Sequence, residues 1–239
     1  MVSRNPLTRE ILLKAAIALA DDEGIASLSM RKLGQRLGVE AMSLYNHVGN
    51  KDELLTGIAD TLIGEFEIPS EQLEWQAAMR FVAESVRNTL LRHPWAVSLI
   101  ESQVAPSKVR FERADALIGA LRRAGFSIEL AYKAHLAINS YIVGFIQQEI
   151  HWPFKPMEQG SVAAMLQPQV NNDEFPYLSE MLGSIIKIRQ QAQNGSEPDT
   201  YAPDFNFGLD LLLNSLEKIR LESQPTKKKS TLKSSSVKR

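Results

Sequence analysis

Residues 27–55 read SLSMRKLGQRLGVEAMSLYNHVGNKDELL. Ser29 stands before a run of helix formers and can cap a helix over 30–37. Gly38 breaks that helix where the chain must reverse, in a conformation that only glycine adopts cheaply. A second short helix is predicted over 41–47, ended by Gly49-Asn50. Asn50 followed by Glu53 is a capping-box pattern and opens a third helix at Lys51. Two short helices joined by a turn of three or four residues have the geometry of a helix-turn-helix. Leu33, Leu37, Val39 and Leu44 supply the apolar contacts between them, and Gly34 is small enough for close approach. The second helix would then expose Glu40, Ala41, Met42, Ser43, Tyr45, Asn46 and His47, short or polar groups suited to base edges, thymine methyls and phosphates.

Outward from this segment the helical period dominates, and alternating strand patterns are almost absent, so the chain is expected to be all-α. A first helix is predicted from Asn5-Pro6, with Asn as cap, burying Leu7, Ile11, Ala15, Ala18 and Leu19. The helix opened by Lys51 carries the stripe Leu54, Leu55, Ile58, Leu62 and Phe66, and Pro69 closes the unit. Longer helices are predicted over 73–92, 95–101, 107–124 and 128–150, the last capped by Ser127. Residues 151–175 read as a loop with a short helix near 162–166. Two more helices follow over 176–193 and 203–222. The expected division is residues 1–68, an N-terminal three-helix unit; 69–224, a helical body; and 225–239, a disordered tail.

The 239 residues carry 27 Lys+Arg against 28 Asp+Glu, a formal net charge of −1, and no cysteine. Cysteine-built disulfide, zinc and iron–sulfur sites are excluded. The neutral total hides an uneven distribution. Pro225–Arg239 holds six cations and no acid, which leaves 21 basic and 28 acidic residues elsewhere. Within that acidic body, Ser27–Lys51 has Arg31, Lys32, Arg36 and Lys51 against Glu40 alone. The basic island coincides with the helix-turn-helix, as a phosphate-binding face requires. No apolar core follows the early Arg4, and no run reaches the eighteen or so apolar residues of a membrane span, so a cytoplasmic chain without membrane association is expected.

Gly24 through Leu28, Arg31-Lys32-Leu33, Leu37-Gly38-Val39, Leu44-Tyr45, His47, Asn50-Lys51 and Leu54-Leu55 resemble the DNA-binding domain of the TetR family of bacterial transcriptional repressors. The resemblance extends to the tetracycline-repressor-like C-terminal class through Trp75-Gln76, Leu90-Leu91, His93, Gly125-Phe126-Ser127, Gly144 and Phe207-Gly208-Leu209. It implies a homodimer on a palindromic operator in double-stranded DNA, with a small-molecule pocket and the dimer interface in the C-terminal domain. Ligand bound beneath the fourth helix would shift that helix and change the spacing of the two recognition helices. By resemblance, Ser29, Met30 and Arg31 open the second helix, with Arg31 placed to reach a guanine. Ala41, Met42 and Ser43 open the recognition helix, while Tyr45, His47 and Lys51 match positions that hold phosphates. Asn46 stands where tetracycline repressors carry Trp, and Ala41-Met42 replaces their Gln-Pro, so a different operator is implied.

Tetracycline repressors hold a drug-bound magnesium through a histidine; here Ile100 stands at that position. Val82 and Val86 replace the Asn and Phe that grip the drug. The effector implied is therefore a small apolar or aromatic molecule of unknown identity, with no cofactor and no metal. Trp95, His135, Asn139, Phe145 and Gln148 are further candidate pocket residues. For His135, pocket lining and a satisfied core histidine are both open readings. His93, before Pro94, reads as a helix cap, and His151-Trp152 as a pocket rim. Phe205, Phe207, Leu209, Leu212, Leu213 and Leu216, with Leu178, Met181, Leu182, Ile185 and Ile186, are expected to join two subunits as a four-helix bundle.

Two other classes compete. An all-helical enzyme finds no support, because G-x-S-x-G, H-E-x-x-H, P-loop and dinucleotide-binding patterns are absent. A helical adaptor or ligand-binding protein without DNA binding is disfavoured by the basic island and by the placement of Arg31, Tyr45 and Lys51.

Overall fold

In the computed structural model the described residues are 6–103, 105–151, 159–192 and 201–223. Among them the chain is built of helices, with no strand. The order is α1 (Arg9–Glu23), α2 (Met30–Leu37), α3 (Ala41–Leu44), α4 (Lys51–Glu65), α5 (Trp75–Arg92), α6 (Ala96–Ser102), α7 (Lys108–Arg123), α8 (Ile128–His151), α9 (Gln159–Leu166), α10 (Pro176–Ala192) and α11 (Ala202–Glu222).

The caps explain most of the boundaries. Ser29, Asn50, Ser107 and Ser127 each accept the backbone N–H three residues on. Each satisfies a donor that the first helical turn leaves orphaned. Asn50 takes Glu53 N at 2.8 Å, and the Glu53 carboxylate reaches back to Gly49 N at 2.8 Å, one residue beyond the usual capping box. The N-terminus of α1 differs from expectation. Thr8, not Asn5, is the cap, accepting from Ile11 N at 3.2 Å, and Pro6 precedes the helix. Asn5 itself lies outside the described residues, as does the tail from 224 onward. The buried face of α1 is Leu12, Leu13, Ala16, Ile17, Leu19 and Ala20, so the expected stripe through Leu7, Ile11 and Ala15 is rotated by one residue.

The helices α1, α2, α3 and α4 pack around Leu12, Leu33, Leu44, Leu54, Ile58 and Leu62, all fully buried. The helix α4 then continues against α6 and α7, while α8 packs on α5, α7 and α11. Burial in α11 corrects the bundle expectation. Phe205, Leu209, Leu213 and Leu216 are buried within the chain itself, where Phe205 packs on Tyr141 and Phe145 of α8. A polar ladder ties α11 to α5: Trp75 Nε1 to Glu217 at 3.0 Å, Gln76 to Asn214 at 3.3 Å, and Arg80 to Asp210 at 2.7 Å. Leu182 is buried as well, on the α10 side that packs against α9, whereas Leu178, Met181, Phe207 and Leu211 are exposed. The short helix expected near 162–166 is α9, which starts earlier, at Gln159.

Candidate nucleic-acid interface and effector cavity

The turn between α2 and α3 is set by two glycines. Gly38 has φ 67° and ends α2 in the left-handed region. Gly34 lies so close to α3 that a Cβ on it would sit 2.9 Å from the Val39 carbonyl oxygen and 3.2 Å from Ala41 N. Leu33 and Leu44 are fully buried between the helices, joined by Val48, whose burial the sequence reading missed. Leu37 and Val39 pack at the margin.

The recognition element is shorter than expected. Regular α-helix stops at Leu44, and Tyr45, Asn46 and His47 continue it as a tighter turn, with N–H bonds to carbonyls three residues back. The likeness to a longer helix comes from the continued turning; the tightening leaves Tyr45 and Asn46 exposed and His47 half-buried. Met42 is 74% exposed. Glu40 is exposed, while Ala41 and Ser43 are partly covered, and the Ser43 hydroxyl donates to the Glu40 carbonyl at 2.7 Å. Ser29 is engaged as the α2 cap, with Met30 partly buried beside it.

The four cations of the island divide into two pairs. Lys32 binds Glu23 at 2.6 Å and Arg36 binds Asp22 at 2.7 Å, both bracing α2 against α1. Arg31 and Lys51 are exposed and have no ion-pair partner among the described residues. The charge available to a duplex is therefore smaller than the count of Lys and Arg suggests, and it sits at the starts of α2 and α4.

From Lys51, α4 runs to a second site. Thr56 bonds Gln103 at 3.0 Å, Asp60 accepts from Ser107 at 3.0 Å, the Gly64 carbonyl accepts from Arg113 Nη2 at 2.6 Å, and Glu65 pairs with Arg92 at 2.9 Å. Behind the last turn of α4, helices α5, α6, α7 and α8 line a half-open cavity of about 280 Å³. Val82, Val86, Ile100, His135 and Asn139 line it, with Ile138 and Ile142 among the other apolar walls. Burial pushes His135 below the usual histidine range, so its imidazole is neutral near pH 7.

Three expected pocket residues lie elsewhere. The Trp95 indole N–H donates to Asp21 at 2.7 Å, bridging α6 to α1. The same Asp21 oxygen lies 2.8 Å from His93 Nδ1, so His93 ends α5 and also ties it to α1. Phe145 is taken up by the aromatic cluster with Tyr141 and Phe205. Gln148 is exposed and away from the cavity wall. His151 is exposed at the end of α8, and Trp152 lies outside the described residues. The cavity also contains residues the sequence reading did not single out: Glu101, Arg110 and Arg113. Their charge masked them, because a charged residue on a helix reads as solvent-facing until the neighbouring helices are in place.

Two family models match the chain. Residues 12–58 match "Bacterial regulatory proteins, tetR family", and residues 68–220 match "Tetracyclin repressor-like, C-terminal domain". The chain is 34% identical over 176 residues to an HTH-type transcriptional regulator of Saccharopolyspora erythraea, covering 72% of this chain and 74% of that one. It is 32% identical over 213 residues to the class A tetracycline repressor of Escherichia coli, covering 88% and 90%. Its fold matches the Streptomyces coelicolor TetR family protein ActR in complex with actinorhodin, with a TM-score of 0.73 at 24% identity over 90% of this chain and 97% of that one. The paired glycines, the exposed recognition turn and the matches across both halves converge: the chain belongs to the TetR family and is a DNA-binding transcriptional regulator.

Proposed function

We propose that the protein is a repressor that binds a palindromic operator as a homodimer and is released by a small apolar or aromatic effector. The supporting observation is the placement of one helix, α4. It begins at Lys51, beside the exposed turn, and its far end closes the cavity. In this reading Arg31 reaches a base edge, while Tyr45, His47 and Lys51 hold phosphates. Ala41 and Met42 meet thymine methyls, and Glu40, Ser43 and Asn46 complete the recognition surface. Ser29 and Met30 set the start of α2 against the backbone. Two recognition turns would sit about 34–36 Å apart, in successive major grooves. The exposed faces of α10 and α11, with Leu178, Met181, Phe207 and Leu211, supply the apolar surface for joining two subunits.

The effector acts through the cavity. It can shift the molecule only by binding one position of α4 better than the other. Val82, Val86 and Ile100 give hydrocarbon walls, and Ile100 offers no donor for a metal chelate. His135 and Asn139 are the neutral polar groups that can orient a ligand. The test is titration of a random-sequence duplex pool with the full chain at rising salt. Binding that weakens steeply with salt is the result expected of a phosphate-contacting protein. Absence of binding at low salt would favour a helical adaptor instead.

A further inference from the structure

The cavity is mostly apolar, with Glu101 of α6 and His135 and Asn139 of α8 as isolated polar groups, and its α7 wall carries two guanidiniums. Arg110 and Arg113 of α7 both line it. Arg110 Nε and Nη2 and Arg113 Nε are shut off from solvent and have no hydrogen-bond acceptor. Buried donors are almost always satisfied in folded proteins, and leaving one attached to a charged group unmet is costly. Arg110 Nε is paired with Asp60 at 3.4 Å, a carboxylate that also accepts from Ser107, so the charge of Arg110 is already balanced. Arg113 donates Nη2 to the Gly64 carbonyl and has no carboxylate partner among the described residues. The other charged group on the lining is Glu101, and His135 is neutral. A neutral hydrocarbon ligand would fill the volume and leave the Arg113 guanidinium without a counter-charge.

We propose that the effector is anionic: an apolar, aromatic body carrying a carboxylate, sulfonate or ionised phenol that pairs with Arg113, beside Arg110. This deepens the effector reading above and rests on it. The same two guanidiniums hold α4, Arg110 at Asp60 and Arg113 at the carbonyl of Gly64 in the last helical turn. An anion between them competes directly with those contacts. Loading the cavity thus loosens the end of α4, and a neutral molecule of the same shape does so less.

Two fluorescent probes of matched shape separate the possibilities. Anilinonaphthalene sulfonate carries an anion, and phenylnaphthylamine is the same body without it. On the full chain the sulfonate should bind at least about tenfold more tightly, the worth of a charge-assisted pair. Arg113→Met should erase that preference while leaving the neutral probe unchanged, Arg113→Lys should keep part of it, and Glu101→Gln should increase it. Amide exchange over 61–66 should quicken with saturating sulfonate and not with the neutral probe. Val86→Trp, which fills the cavity, should displace both probes. Equal binding of both probes, lost together in Val86→Trp, would overturn the anionic effector and leave the cavity as a ligand site. Binding untouched by Val86→Trp would overturn the cavity reading and the proposal with it. Unchanged exchange over 61–66 with sulfonate bound would overturn the link to α4.

Discussion

Arg31 and Lys51 differ from Lys32 and Arg36 in what already holds them. The first two face solvent without an ion-pair partner among the described residues; the second two are spent on Glu23 and Asp22. Lys51→Ala should therefore lower the salt slope of DNA binding by about one, while Lys32→Ala leaves it nearly unchanged. Arg31→Ala should cost about 1–3 kcal/mol of specific binding, read by footprinting on a selected site, with helical content intact. His135 makes a different prediction. Its folded pKa is lowered by burial from the ordinary 6.5. The unfolded chain then binds the proton more readily, so the contribution of neutral His135 is present above about pH 6.5 and is lost as pH falls below it. Urea denaturation at pH 7 and pH 5 should show a smaller acid loss in His135→Asn than in the parent chain.

At the scale of elements, the approach of α2 and α3 is the most constrained feature. With a Cβ on Gly34 the helices must part, because the obstructing atoms are backbone. Gly34→Ala should destabilise the chain by about 1–3 kcal/mol, measured by chemical denaturation, and weaken DNA binding further by displacing the turn. This region was legible in the sequence because its signals are local: caps, a reversing glycine and a two-helix spacing. Elsewhere legibility failed for physical reasons. In α1 the run ILLKAAIALA is apolar on adjacent faces, so periodicity alone left the buried stripe uncertain by one residue. In α11 two apolar faces coexist. Phe205, Leu209, Leu213 and Leu216 turn inward, and Phe207 and Leu211 turn outward, so a list of apolar residues could not say which face joins a partner. Phe207→Glu should accordingly shift the solution mass toward a single chain by light scattering, with unfolding stability little changed.

Across the whole molecule, two sets of contacts tie α1 and α4 to the helices that follow. One is α4 with its contacts at Thr56, Asp60, Gly64 and Glu65; the other is Asp21 of α1, which receives the Trp95 indole and faces the His93 imidazole. By sequence Trp95 is a candidate pocket residue. Its indole N–H found a carboxylate 74 positions earlier in the chain instead, a pairing no local pattern encodes. The arginines of the cavity were hidden for the same reason, since their burial is created by helices distant in sequence. In the proposed function the α2–α3 turn reads a symmetric DNA site from two subunits. The decisive measurement is selection of bound sequences from random duplex DNA with the full chain. The expected result is enrichment of a palindrome whose half-sites are centred about one helical turn apart or a multiple of it, lost in Arg31→Ala. Enrichment of nothing, or of a single asymmetric site equally well bound by Arg31→Ala, would contradict it.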